Sequence, residues 1–343
     1  MRLSVIAICA AILGVCASLA GCGGSTLKTN STTPQIDGKR LDREVGAIAE
    51  RARPGVLGVA LMNLESGQFW TYNGDRPFPL GSASATPVAA AALAEVDAGR
   101  LTLDQTIQVP GEDLSPPPSR IADDWPRRTD YRLGDLLTAA LAQADNTATD
   151  VLMRRVGGPG AVTAWLKLRN IEQVRVDRYA RETGTDLEGM ASFREAWKGE
   201  AAFDAARATL PQDKRRTAMA AYLRDVRDTA TPRSLLHFLM ELDDHTLLSP
   251  SSSALLLRIM TGPGPGDRRL KAGLPAGVTW AHVLGDARTD LGLAPATNDM
   301  GLITLPDKRR YAVVVFFAGS PLDRVARDAV LAEVGRAVIR GIR

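Results

Sequence analysis

Two serines, Ser82 and Ser84, stand where a proline-marked segment gives way to an alanine run, PFPLGSASATPVAAAALAEV, residues 77–96. A serine hydroxyl becomes a useful nucleophile only with a base in reach. The twelve residues after Ser84 contain no Lys and no His, and their first acid is Glu95. Pro87 follows Ser84 by three positions, where a helical neighbour would have to act. The bland alternative is that these serines cap or pack a helix. Asp145 and Asn146 stand just before Thr147 and carry the same ambiguity, since both residue types bind ligands and both cap helices well. His282 lies in a strand-like run with no second His and no carboxylate beside it in the sequence, which reads as structural. His237 and His245 fall on or just after a helix and receive no role, and no metal site is readable.

The chain has 343 residues, 45% hydrophobic and 24% charged, with 42 basic and 39 acidic side chains. No basic block stands out, which argues against nucleic acid as a partner. The three cysteines, Cys9, Cys16 and Cys22, all lie in the first segment, MRLSVIAICAAILGVCASLAGC. Arg2 precedes a largely apolar run that ends in Leu19-Ala20-Gly21-Cys22, and this resembles the lipobox of bacterial lipoproteins. The resemblance implies a signal peptide over 1–21, acylation of Cys22, membrane lipid as a partner, and a location on the outer side of the cytoplasmic membrane, in the periplasm or cell envelope. An uncleaved anchor and a plain secretory peptide are the alternatives. Residues 22–37 read as a flexible tether. The mature protein would have no disulfide.

Apolar positions at helical spacing (Leu41, Val45, Ile48, Ala52) predict a first helix, stopped by Pro54-Gly55. VLGVALMNL and QFWTYN read as a hairpin around ESG. The middle is helical: residues 86–98, YRLGDLLTAALAQADN, NTATDVLMRRVGG, GAVTAWLKLRN and TPRSLLHFLMELDD. GVTWAHVLGD, NDMGLITL and RRYAVVVFFAG are strand-like. A last helix is expected from Ser320, with Ser320 as its cap and Pro321 in its first turn.

This order of elements, with RPFPLGS, ADNTATDVLM, DVRDTATPRSL, KAGLPAGVTWAHVLGD and TNDMGLITLPDKRRYAVVVFF, resembles a class A serine β-lactamase from about Gly38 onward. The resemblance implies an α/β fold in two parts: an antiparallel five-stranded sheet flanked by helices (38–77 plus 266–343), and an inserted all-helical part (78–265). The Ω-loop of that second part is enlarged over about 178–228. The family's chemistry rests on S-x-x-K, S-D-N, K-T-G and an Ω-loop glutamate. Here S-x-x-K aligns with Ser82-Ala83-Ser84-Ala85, S-D-N with Ala144-Asp145-Asn146, and K-T-G with Val283-Leu284-Gly285. The Ω-loop begins Asp177-Arg178-Tyr179-Ala180, with alanine where the glutamate belongs.

By resemblance, Ser82 is a vestigial nucleophile, and Asp145, Asn146, Gly285, Asp286 and His282 surround the pocket. Arg178 and Asp228 form the ion pair that pins the Ω-loop. Asp286 is expected to repel a substrate carboxylate or a developing oxyanion. Glu182 is a substitute base only if the loop shifts. The expected function is a lipid-anchored protein that binds a small ligand or cell-wall fragment without hydrolysing it, with no cofactor. Within the Ω-loop insertion, residues 191–210 have helical composition, and their aromatics Phe193, Trp197 and Phe203 either pack on the helical part or offer a surface for a protein partner. The alternative is a weak β-lactamase or serine hydrolase that uses Ser82.

Overall fold

A computed structural model describes residues 35–262 and 266–342. The expected signal peptide, Cys22 and most of the expected tether lie outside the described residues. Among the described residues no helix is long and apolar enough to cross a membrane.

Helix α1 (Gly38–Arg51) is capped by the Asp37 side chain and leads into β1 (Val56–Asn63) and β2 (Phe69–Tyr72). The middle of the chain supplies α2 (Ala85–Asp97), α3 (Leu133–Ala142), α4 (Asn146–Arg155) and α5 (Pro159–Lys167). It continues with α6 (Ala180–Glu188), α7 (Glu200–Ala208), α8 (Gln212–Tyr222), α9 (Pro232–Asp243) and α10 (Pro250–Thr261). Then come β3 (Thr279–Asp286), β4 (Ala294–Thr304), β5 (Arg310–Ser320) and α11 (Arg324–Gly341). The sheet has the order β2-β1-β5-β4-β3, and every neighbouring pair is antiparallel. The two-part α/β architecture expected from the sequence is therefore the one observed.

The central strand explains its own composition. On β5, Val313, Val315 and Phe317 pack with Leu41 and Val45 of α1 and Val334 and Val338 of α11. Ala312, Val314 and Phe316 face the helical part, where Phe316 stacks on Phe78 at 5.2 Å. With both faces covered, the usual polar alternation disappears and the strand reads AVVVFFA. Helix α9 packs directly on β1 and β5, so it roofs the sheet.

Three local expectations need correction. Ser320 does not cap the last helix. It is the last residue of β5, paired with Ala294, and the Asp323 side chain caps α11 through Ala326 N–H. Tyr131 belongs to a short strand, Asp130–Arg132, so α3 begins only at Leu133, and Ala144 has a φ of 52° after the helix ends. The helical composition of 191–210 is broken by Gly199, whose φ of 81° lets the chain turn into α7.

Candidate functional site

A cleft of about 560 Å³ opens between the sheet edge β3, the head of α2 and the Ω-loop insertion. Two backbone approaches build its floor. A Cβ on Gly81 would stand 2.5 Å from Asp286 O, and one on Gly285 would stand 2.6 Å from Leu80 O. Glycine at both positions lets the turn Gly81–Ser84 lie flat against β3. Asn298 of β4 holds that turn from below, donating to Pro79 O at 2.9 Å and Leu80 O at 3.1 Å.

This packing decides what Ser82 does. Its hydroxyl donates to Leu284 O at 3.2 Å and accepts from Asp286 N at 3.0 Å. It caps no helix; neither does the side chain of Ser84. Ala85 is buried and Ala180 offers only its amide, which donates to Asp150. Among the described residues, no imidazole, amine or carboxylate hydrogen-bonds to the Ser82 hydroxyl. The Glu182 carboxylate is engaged elsewhere, accepting from Tyr179 N at 2.9 Å at the start of α6.

The pocket residues separate into those that face the cleft and those that frame it. Asn146 lines the cleft and donates to Pro116 O at 2.9 Å. Asp145 does not reach it. Its buried carboxylate accepts from Ser119 Oγ, Ile121 N and Ala148 N at 2.9–3.0 Å, so it is the cap of α4, and burial raises its pKa. Gly285 likewise lies under the turn and serves close packing. Asp286 lines the cleft but is not a bare negative charge. Both its oxygens accept from Arg269 Nη2, at 2.8 and 2.9 Å, and Arg269 also holds Asp328 at 2.9 Å and Asn298 O at 3.0 Å. The expected repulsion of anions by Asp286 is therefore largely cancelled.

His282 also has a carboxylate partner that the sequence hid. Leu284 pairs with Asp299 across β3 and β4, which puts Asp299 diagonal to His282 on one face. Their Nδ1–Oδ1 distance is 2.7 Å, and Asp299 is fully buried. Among the described residues, no cluster of His, Cys, Asp or Glu is placed to hold a metal ion.

Arg178 and Asp228 meet at 2.6 Å, both buried. Asp228 also accepts from Asp177 N at 2.7 Å and Arg178 N at 3.0 Å, which closes the Ω-loop at its base. Two residues not singled out in the sequence complete the region. Asp150 of α4 accepts from Ala180 N at 2.6 Å, Arg181 N at 2.9 Å and Ser115 Oγ at 2.6 Å, tying the loop to the helical part. Glu188, the last residue of α6, is buried against the cleft with no hydrogen-bond donor on either oxygen. Nothing local in the sequence marks either one as buried.

A family model described as the beta-lactamase enzyme family matches residues 40–342. The chain belongs to the beta-lactamase enzyme family. Beta-lactamase VEB-1 of Pseudomonas aeruginosa is 26% identical over 305 residues, covering 88% of this chain and 89% of its own. Beta-lactamase SME-1 of Serratia marcescens is 26% identical over 337 residues, with 96% of each chain covered. The crystal structure of a beta-lactamase from Chitinophaga pinensis DSM 2588 superposes with a TM-score of 0.70 at 30% identity, over 87% of this chain and 97% of that one. A reconstructed ancestral class A beta-lactamase of Gram-negative bacteria gives 0.71 at 31% identity, over 88% and 99%.

Within this class A β-lactamase fold, two carboxyls packed against the Ω-loop region are displaced from their ordinary range, Glu188 lining the cleft and Asp150 buried beneath the loop. Burial pushes Asp150 up to about 6 and Glu188 up to about 7. Unfolded carboxyls titrate at roughly 4. Between those values the folded chain keeps protons that the unfolded chain has released. Their stabilisation is thus full below about pH 4 and is lost as pH rises through about 6 and about 7. Around Glu188 the other charged or titratable groups are Arg207, Asp204 and Glu200 of α7, Arg215 and Tyr222 of α8, and Arg288 and Asp290 after β3. Wild type should lose on the order of 2 kcal/mol relative to Glu188→Gln between about pH 5 and pH 8. Paired thermal melts with parallel pH slopes would refute this.

Proposed function

We propose that this family member binds a small ligand in the cleft without hydrolysing it, and that Cys22 carries a lipid anchor. The observation that carries the first part is the bonding of Ser82. Its hydroxyl spends its proton and one acceptor lone pair on the backbone of β3. An N–H aimed at a hydroxyl is not available to a developing oxyanion, and oxyanion donors are typically worth ~10²–10³ in rate. General base assistance adds ~10²–10⁴, and alanine stands at 85 and 180 where the family's bases belong. The shuttle position is Ala144, and the K-T-G lysine and threonine are Val283 and Leu284.

The test is a chromogenic cephalosporin mixed with pure protein, followed by intact mass. The expected result is no turnover above background and no acyl adduct, with Ser82→Ala indistinguishable. Restoring the lysine alone, by Ala85→Lys, should give no activity, since an ammonium at a buried, apolar position is costly and still lacks its partners. Hydrolysis by wild type that Ser82→Ala abolishes would establish the hydrolase instead.

The anchor rests on Leu19-Ala20-Gly21-Cys22. Cys22→Ala should release the protein from membranes or leave it as unprocessed precursor. Normal membrane retention of wild type with an unmodified Cys22 would contradict it.

A further inference from the structure

We propose that Glu188 is the recognition carboxylate for a ligand bearing a protonated amine on an apolar body, bound in the wing of the cleft built by the Ω-loop insertion. This rests on the reading that the cleft binds rather than hydrolyses, and it names the chemistry that would be bound.

Glu188 is 1% exposed and lines the cleft, yet neither carboxylate oxygen has a hydrogen-bond donor. Buried carboxylates are ordinarily supplied with donors, because leaving them unmet is costly. Two guanidinium groups stand close but do not serve. Arg207 Nε and Arg288 Nε are each 3.8 Å away, within ion-pair range and too long for a hydrogen bond. Their other contacts run through the Nη atoms, while Arg207 Nε, like the Glu188 oxygens, has no hydrogen-bond partner. Arg207 pairs with Asp290 and, at 3.2 Å, with Asp204. Arg288 pairs with Glu200 at 2.6 Å and Asp204 at 3.2 Å. Arg215 completes the group through Asp290 at 3.3 Å.

The charge count gives the sign of the missing partner. Three guanidinium groups (Arg207, Arg215, Arg288) face four carboxylates (Glu188, Glu200, Asp204, Asp290), an excess of one negative charge. One proton or one monocation balances the cluster, and an anion worsens it. A proton alone satisfies one oxygen, and the elevated titration range of Glu188 is consistent with this in the empty cleft. An ammonium offers three N–H donors and can meet both oxygens once the Glu188 side chain, now shut from solvent, turns toward the cleft. Leu187, Phe203 and Tyr222 supply the adjoining apolar wall, which is why the amine should carry a hydrophobic body. The charges that hold the wing lie on α7, α8 and the segment after β3. The insertion, which the family's ordinary Ω-loop lacks, therefore builds the site.

The probes are benzylamine, benzyl alcohol and benzoate, of nearly equal shape and different charge, added to the purified full chain and followed by thermal melting at pH 8. Benzylamine is expected to raise the melting temperature of wild type, while the alcohol and the acid leave it unchanged. Glu188→Gln should lose the benzylamine shift. A second arm uses wild type alone. Because a proton competes for the same oxygens, benzylamine affinity should fall about tenfold between pH 8 and pH 6, in proportion to the ionised fraction. The proposal is overturned by a benzoate shift exceeding that of benzylamine, by no benzylamine shift at pH 8, by an equal shift in Glu188→Gln, or by pH-independent affinity in wild type. Failure here is separate from failure of the non-hydrolytic reading, which is seen as cephalosporin turnover or an acyl adduct.

Discussion

Asp228→Ala is expected to lower the unfolding free energy by about 3–5 kcal/mol, the usual cost of stripping one partner from a buried ion pair. Arg178 is 6% exposed and sits 2.6 Å from Asp228. The loss would not stop at the charge. Asp228 Oδ1 also accepts from the amides of Asp177 and Arg178, so two donors at the start of the Ω-loop would lose their acceptor. Arg178 keeps Asp186 at 2.7 Å and Asp225 at 3.4 Å, both more exposed, which softens the effect without cancelling it. Denaturant melts of wild type and variant check this. A midpoint unchanged within error would mean that the loop is held by other contacts.

Asp145→Ala should cost a comparable ~2–5 kcal/mol, through hydrogen bonds rather than an ion pair. Its carboxylate is the acceptor for Ile121 N and Ala148 N, and both bonds are buried. Each buried donor left without an acceptor costs about 1–3 kcal/mol. Ser119 is less affected, because its hydroxyl also lies 2.7 Å from Thr147 Oγ1. The damage should concentrate at the head of α4 and the segment 119–122, where hydrogen exchange would show it. Asp145→Asn should cost less, since an amide oxygen can still cap Ala148. Equal loss in the two variants would count against this account.

Much of the fold was legible because it follows from patterns that are local. The apolar run of β5 declared a strand covered on both sides, and the i, i+3, i+4 spacing of α1 declared its buried face. The ends of elements were harder. Ser320 followed by Pro321 looks like a helix start, yet pairing with Ala294 extends the strand through Ser320 and leaves Asp323 to cap. The losses at 85, 144, 180, 283 and 284 were readable residue by residue. The partners were not. Arg269 lies 17 residues from Asp286, and His282 lies 17 from Asp299. Only strand register and chain return bring them together. Asp150 and Glu188 look in the sequence like ordinary helical acids, and their burial is a property of the insertion packed over them.

The hydroxyl of Ser82 has a consequence beyond catalysis. In a working hydrolase the residue at this position must be free to leave its resting contacts on every cycle. Here it spans two pieces of chain 202 residues apart in the sequence, joining the turn before α2 to the outer strand β3. That makes it a rivet across the seam between the helical part and the sheet. Rivets are judged by fit rather than by reactivity. Substitutions at this position should be tolerated according to size and to their ability to meet the amide of Asp286 and the carbonyl of Leu284. Under the non-hydrolytic reading proposed above, nucleophilicity would confer no advantage there.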